Sequence, residues 1–316
     1  MLPQDQLTDM QDHPLRDMLN LQRFIFCPGC LIGTIITSIT SCLKERGLTS
    51  KDYAIVSGIG CTGRSSGCFK APAFHTTHGR AIPFATGLKL ANPKLKVIVL
   101  SGDGDLFAIG GNHFIHAARR NIEITVLCVN NNVYGMTGGQ VAPTTHIGDI
   151  TSTTPYGNME PPFNLVSLAA ASGATYVARW PGYDTLRLQR SIFKSLDNEG
   201  FSFIEVLAPC FIQYGTKNKL GDAVEMLEWL RKQIKIRMDC PPHEATFDFK
   251  EGIIICGEFV DEQREGLISK RFKSFFQVGP CNLGLQAATT IFSIPFSLIA
   301  ISISACPGSE QVYVLT

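Results

Sequence analysis

The chain of 316 residues is predicted to fold as a doubly wound α/β protein, a mostly parallel sheet with helices on both faces. Three observations predict it. Short apolar, β-branched runs alternate with helix-length segments: 53–57 (YAIVS), 96–100 (KVIVL), 122–129 (IEITVLCV), 175–178 and 201–207. Runs of this kind suit strands buried on both sides. Loops bearing glycine, asparagine and cysteine follow the carboxyl ends of these runs, the edge at which open α/β sheets bind ligands. Crossovers between parallel strands are right-handed in nearly all cases, so these ends face one crevice.

The bulk composition narrows the function. The length allows one large or two modest domains with a sizeable core. A net charge of +1 with 17% charged residues gives no electrostatic footprint for nucleic acid. The N-terminus carries Asp5, Asp9, Asp12 and Asp17 and no early apolar stretch, unlike a secretory signal. Eleven cysteines, an odd number, speak against a disulfide framework and for reduced thiols, metal or cluster ligation, or core packing. A cytoplasmic protein is expected.

In chain order, residues 1–22 form a polar lead-in, expected as an arm lying on a neighbour. Cys27-Pro28-Gly29-Cys30 then precedes a helix over 31–46. Cys-x-x-Cys at a helix start serves a redox dithiol, half a zinc site or half an iron–sulfur site, and the motif does not choose among them. The strand 53–57 ends in Gly58-Ile59-Gly60-Cys61-Thr62-Gly63-Arg64, a third cysteine at the strand edge. His75-Thr76-Thr77-His78-Gly79-Arg80 leads into a helix over 80–90, which sets His78 at a helix start.

The strand 96–100 opens into Ser101-Gly102-Asp103-Gly104-Asp105. Glycines on either side of an aspartate let backbone N–H groups approach a phosphate while the carboxylate stays free. Asp103 is thus placed like a ligand for a hard cation such as Mg²⁺. A helix over 108–120 and the strand 122–129 lead to Asn130-Asn131-Asn132-Val133-Tyr134-Gly135-Met136-Thr137-Gly138-Gly139-Gln140, where Asn131 offers an amide oxygen and Val133 a carbonyl. Residues 138–161, rich in Gly, Pro, Thr and His, read as an ordered functional loop. A helix over 163–171, the strand 175–178, a helix over 184–196 and the strand 201–207 follow, ending in Ala208-Pro209-Cys210.

Cys61 and Cys210 therefore share the edge used by Asp103 and Asn131, and Cys27 and Cys30 can fold over it. Four thiolates suit a [4Fe–4S] cluster or a zinc ion, and spacing does not separate the two. Cys42, Cys68 and Cys128 are assigned to the core or to helices. A closing amphipathic helix is expected over 219–237, so the α/β domain covers 23–238, with an extension over 239–264. From 265 the tail is atypical, without a charge between Ser274 and Ser309. It reads as a membrane or partner-binding tail, an extra packed element, or sequence foreign to the fold, and the last is preferred.

Gly-Asp-Gly followed by the asparagine loop resembles the thiamine diphosphate motif. The wording Val-Tyr-Gly-Met-Thr-Gly-Gly-Gln is similar to that of the β subunits of 2-oxoacid:ferredoxin oxidoreductases, a likeness that extends over residues 20–260. The resemblance implies the thiamine diphosphate-binding fold. It makes Asp103, Asn131 and the Val133 carbonyl ligands of Mg²⁺, and sets Gly104, Asp105, Gly135 and Met136 about the diphosphate. Ile59, Gly60, Cys61, Thr62, His78, Gly102 and Thr137 would also bind the cofactor. It decides for iron at the cysteines, giving a [4Fe–4S] cluster on Cys27, Cys30, Cys61 and Cys210. Two departures stand out: Leu31 where glycine commonly follows Cys-Pro-Gly-Cys, and Gly138 where some members carry a lysine and, with it, a coenzyme A contact.

The activity so implied is oxidative decarboxylation of a 2-oxoacid, 2-oxoglutarate before pyruvate or branched-chain acids, to acyl-CoA and CO₂ with reduction of ferredoxin. Arg64 is the candidate for the substrate carboxylate and His78 for a catalytic group. Thiamine enzymes need a glutamate against the aminopyrimidine ring, and this chain lacks the domain that supplies it. An α subunit is therefore implied as partner, with γ and δ subunits optional. A non-redox thiamine decarboxylase or carboligase would leave the cysteine set without a purpose, and a cysteine–zinc scaffold would contain no iron.

Overall fold

The computed structural model describes residues 13–248 and 252–277. After helix α1 (Ile32–Glu45) come β1 (Tyr53–Ser57), β2 (Ala73–His75), α2 (Ala81–Ala91), β3 (Lys96–Gly102), α3 (Gly111–Arg119) and β4 (Thr125–Asn130). A small hairpin, β5 (Val133–Tyr134) with β6 (Gln140–Val141), precedes α4 (Leu165–Ala171), β7 (Tyr176–Pro181), α5 (Thr185–Asp197) and β8 (Ser202–Leu207). The remainder is α6 (Ala223–Gln233), β9 (Ile234–Ile236), β10 (Phe247–Asp248), β11 (Ile253–Asp261) and α7 (Leu267–Gln277). Strands β2-β1-β3-β4-β8-β7 lie side by side and parallel, and β11 adds antiparallel to β7. The expected doubly wound, mostly parallel sheet is what the chain forms.

Its core follows from the period of two along each strand. In β3, Ile98 and Leu100 face one apolar layer while Val97 and Val99 face the other. The first layer is closed by α1 and α5 through Ile35, Ile36, Ile39, Leu188 and Ile192. The second is closed by α2, α3 and α4 through Ala85, Phe114, Leu165 and Val166. Every residue of β1, β4, β7 and β8 is buried, which is why these strands are mostly apolar, with Arg179 in β7 and Glu205 in β8 the charged exceptions.

Several boundaries differ from the sequence reading. The segment expected as a helix over 108–120 begins earlier, as a π-helical turn over Gly104–Ile109, and continues as α3. The Gly110 N–H donates to the Asp105 carbonyl, and a Cβ on Gly110 would stand 2.6 Å from that oxygen. The strand expected from 122 starts at Thr125, because Ile124 N–H closes a local turn on the Ile122 carbonyl. The closing helix is shorter than 219–237. A capping box between Asp222 and Glu225 starts it, and it stops at Gln233 because Ile234–Ile236 pairs with β11. Of the expected N-terminal arm, residues 1–12 lie outside the described residues. Leu15 and Leu19 instead pack into this chain's own core.

The described residues up to Lys270 form one compact unit, and of a second, which begins at Arg271, the structure describes only residues 271–277, a helical stretch. The uncharged tail otherwise lies outside the described residues. Among those described, no helix is long and apolar enough to cross a membrane.

Candidate active site

Four neighbouring strands, β1, β3, β4 and β8, carry Cys61, Asp103, Asn131 and Cys210 just beyond their carboxyl ends. Parallel pairing in register is what brings residues so distant in sequence to one edge.

Asp103 heads the π-helical turn, 1% exposed. Its Oδ2 accepts from the Thr144 hydroxyl. Burial pushes its carboxyl up to about 6, opposed by that hydroxyl and by backbone N–H groups. One terminal atom of the Asn131 amide stands 2.9 Å from Asp103 Oδ1 and 2.7 Å from the Val133 carbonyl oxygen. Turned nitrogen-inward, the amide donates to both. Turned oxygen-inward, it gathers three oxygens at about the edge length of an octahedral Mg²⁺ site, roughly 2.9 Å for bonds of about 2.0–2.1 Å. Charge and donor set thus fit the cation implied by the sequence. The turn that aims Asn131 and Val133 at one point is made by Asn132, left-handed at φ 64°, whose carbonyl accepts from Thr145 Oγ1.

Gly104 is required by Tyr134, whose ring a Cβ would meet at 2.5 Å. Gly102 lies beside Thr62, whose fully buried hydroxyl has no hydrogen-bond partner. That orphaned donor, between the cysteine loop and the Gly-Asp-Gly loop, suits a phosphate or carboxylate oxygen. Thr137, by contrast, turns to Gln140 and closes its own loop.

Asp105 does not line open space. Its buried carboxylate accepts from the Ile59 N–H at 3.0 Å, the Gly79 N–H at 2.7 Å and the Ser101 hydroxyl at 2.9 Å, so it joins two loops to the end of β3. His78 Nδ1 lies 2.9 Å from the same carboxylate, off the line a hydrogen bond needs, and its ring centroid is 6.0 Å from that of Tyr134.

Cys27, Cys30, Cys61 and Cys210 line one cavity of about 90 Å³ together with Arg64, Asn131 and Met136. A Cβ on Gly135 would touch Cys210 Sγ at 3.5 Å, Cys61 Sγ at 3.6 Å and Asn131 Nδ2 at 3.6 Å, so this glycine separates the cation corner from the thiols. Burial pushes the Cys61 thiol up to about 11, with like-charge repulsion from Cys210, Cys30 and Cys27 added, and burial also raises Cys30. Cys210 Sγ accepts the Gln213 N–H at 3.4 Å. Among the described residues, no three His, Cys, Asp or Glu side chains are grouped to hold a single ion. The thiols ring a cavity instead of converging on a point. Cys42, Cys68 and Cys128 are buried away from it, as expected.

Three groups escaped the sequence reading. Thr144 bonds Asp103 across a separation of 41 residues. Arg179 and Glu205 form a fully buried ion pair at 2.7 Å behind the asparagine loop. Lys217 Nζ donates to the Gly138 carbonyl at 3.3 Å, so an ammonium group stands at the turn where the chain itself has glycine.

Residues 58–206, from the Gly-Ile-Gly-Cys loop through β8, match the model of the thiamine pyrophosphate enzyme C-terminal TPP binding domain. The chain is 45% identical to the 2-oxoglutarate synthase subunit KorB of Methanothermobacter marburgensis, over 83% of this chain and 92% of that protein. It belongs to the family of 2-oxoacid:ferredoxin oxidoreductase β subunits. To the 2-oxoacid:ferredoxin oxidoreductase subunit beta of Saccharolobus solfataricus it is 45% identical, over 58% of this chain and 61% of that one. The fold agrees with that of 2-oxoglutarate:ferredoxin oxidoreductase from Magnetococcus marinus, solved with 2-oxoglutarate, coenzyme A and succinyl-CoA bound. The TM-score is 0.75 at 29% identity, covering 90% of this chain and 98% of that one. These relatives are named as subunits of oxidoreductases.

Proposed function

We propose that this chain is the thiamine diphosphate-binding β subunit of a coenzyme A-dependent 2-oxoglutarate:ferredoxin oxidoreductase, forming acyl-CoA and CO₂ and reducing ferredoxin. One observation carries the reading: a three-oxygen corner fit for Mg²⁺ and a four-thiol cavity meet at a single glycine, Gly135. Relatives named for 2-oxoglutarate, and a solved relative with 2-oxoglutarate and coenzyme A bound, support the substrate class.

Asp103, Asn131 and the Val133 carbonyl would hold Mg²⁺, and Thr62 would donate its orphaned hydroxyl to a cofactor oxygen. Cys27, Cys30, Cys61 and Cys210 would hold a [4Fe–4S] cluster, each thiol giving up its proton on ligation. The bound groups supply an electron sink for decarboxylation and a one-electron path outward. Arg64, on the cavity wall, offers the charge that orients a substrate carboxylate. Asp105 ties the loops of Ile59 and Gly79 to the end of β3 at Ser101, which sets the spacing of the neighbouring His78 and Cys61. Exposed Met136, Ile147, Tyr156 and Met159, on the loop beside the site, suit the surface covered by an α subunit.

The test is anaerobic iron and sulfide analysis of the chain produced with its partner subunit. About four iron and four sulfide per chain are expected, lost in Cys61→Ser or Cys210→Ser. Zinc, or no metal in a folded protein, would refute the ferredoxin chemistry, and full turnover by the chain alone would refute the partner.

A further inference from the structure

Behind the cation corner lies a buried charge pair that the proposed chemistry does not use. Arg179 on β7 stands opposite Glu205 on β8, and both are 0% exposed. Burying such a pair costs several kcal/mol per ion before attraction offsets it, and apolar residues of similar volume commonly give equal or greater stability. Stability alone is thus a poor account of it. What distinguishes the pair is where its second bonds go.

Glu205 Oε2 accepts from Arg179 Nε at 2.7 Å, and Oε1 accepts from Asn130 Nδ2 at 2.8 Å. Asn130 Oδ1 in turn accepts the Asn132 N–H at 3.2 Å. This pinches the chain on both sides of Asn131 and fixes Asn132 in its left-handed conformation, one that asparagine adopts more readily than other L-residues. On its far side Arg179 donates to the carbonyls of Ala245, Thr246 and Ile255 and to Asn164 Oδ1 at 2.9 Å, so the guanidinium is anchored from a different part of the fold.

We infer that Glu205, fixed by Arg179, is a positioning residue that acts through Asn130 to aim Asn131 and the Val133 carbonyl at the cation. The inference rests on the Mg²⁺–thiamine diphosphate reading above. Outer-shell partners of metal ligands commonly contribute tenfold to hundredfold in metal affinity, and the bond from Asn130 to Glu205 is the link through which that contribution passes.

Two single variants separate positioning from a merely structural role. Asn130→Ala cuts the arm that leads to Asn131, while Asn164→Ala cuts the opposite arm and removes the N-cap of α4. The measurement is calorimetric titration of Mg²⁺ in the presence of thiamine diphosphate, on the full chain produced with its partner subunit, together with Tm and iron content. Asn130→Ala is expected to weaken Mg²⁺ binding at least tenfold with iron content unchanged. Asn164→Ala is expected to lower Tm with affinity within twofold of the parent. Equal affinity in Asn130→Ala and the parent, or equal loss in both variants, overturns the inference. Should Asn130→Ala not fold, the double variant R179M/E205M, which leaves no charge unpaired, is expected to show the same loss, and parental affinity in it overturns the inference. If the parent itself binds no thiamine diphosphate with Mg²⁺, the proposed function falls, and this inference with it.

Discussion

Removing the Thr144 hydroxyl should move the pH dependence of Mg²⁺ binding without destroying the site. Asp103 is buried and titrates near 6 in the metal-free chain, so a proton competes with Mg²⁺ below that pH. The weakening factor is one plus the ratio of protonated to ionised carboxylate: about 2 at pH 6 and about 11 at pH 5, or about 1.4 kcal/mol. Thr144 donates to Asp103 Oδ2 and favours the ionised form. Thr144→Val loses a hydrogen bond to a charged group, about 1.5 kcal/mol, which moves the carboxyl up by about one unit. The variant should then bind Mg²⁺ about fivefold more weakly than the parent at pH 6 and equally at pH 9. The assay is calorimetry of Mg²⁺ with thiamine diphosphate from pH 5 to 9. The ligand's own phosphate titrates in this range, but it does so identically for both proteins. A ratio of affinities that stays constant with pH would mean that Thr144 only braces its loop, and would refute the reasoning.

Other outcomes follow from the same geometry. The raised carboxyl of Asp103 means that the metal-free chain loses stability as pH rises from 3.8, where the unfolded carboxyl ionises, through about 6, by about 3 kcal/mol in all, and Mg²⁺ with thiamine diphosphate should recover it; Tm against pH with and without both reads this directly. Gly135→Ala places its Cβ at ordinary contact distance from Cys61 and Cys210, so Tm should be within a few degrees of the parent while iron content falls, and full iron would show that the space between the thiols is not needed. Gly58→Ala drives a Cβ to 1.9 Å from Asp105 Oδ2 and should destabilise the chain by about 1–3 kcal/mol, measured by urea unfolding.

What the sequence could and could not reveal here has a physical cause. Parallel strands buried on both faces are mostly apolar, so β1, β3, β4, β7 and β8 stand out in one dimension despite Arg179 and Glu205, and with them the edge on which Cys61, Asp103, Asn131 and Cys210 lie. Strand β11 was not foreseen, because its place beside β7 depends on partners about 80 residues away and on a bulge between Glu258 and Val260. The π-helical turn was hidden as well, since moving from an i+4 to an i+5 bond at Gly110 changes no residue type.

The groups that brace the ligands were the least legible. A ligand has to be a particular residue at a strand end, whereas its support needs only to reach it. Thr144 arrives from a loop 41 residues on, and Glu205 from a strand 75 residues beyond Asn130. Nothing local distinguishes Glu205 from a solvent-facing glutamate at a strand's midpoint. Its register opposite Arg179 and Cys128, settled by the pairing of three strands, is what makes it an internal charge. The chemistry of this edge is therefore written in short motifs, while its precision comes from pairings that exist only once the sheet has formed. Substitutions at Thr144 or Glu205 should accordingly alter affinity or its pH dependence in a chain whose motifs remain unchanged.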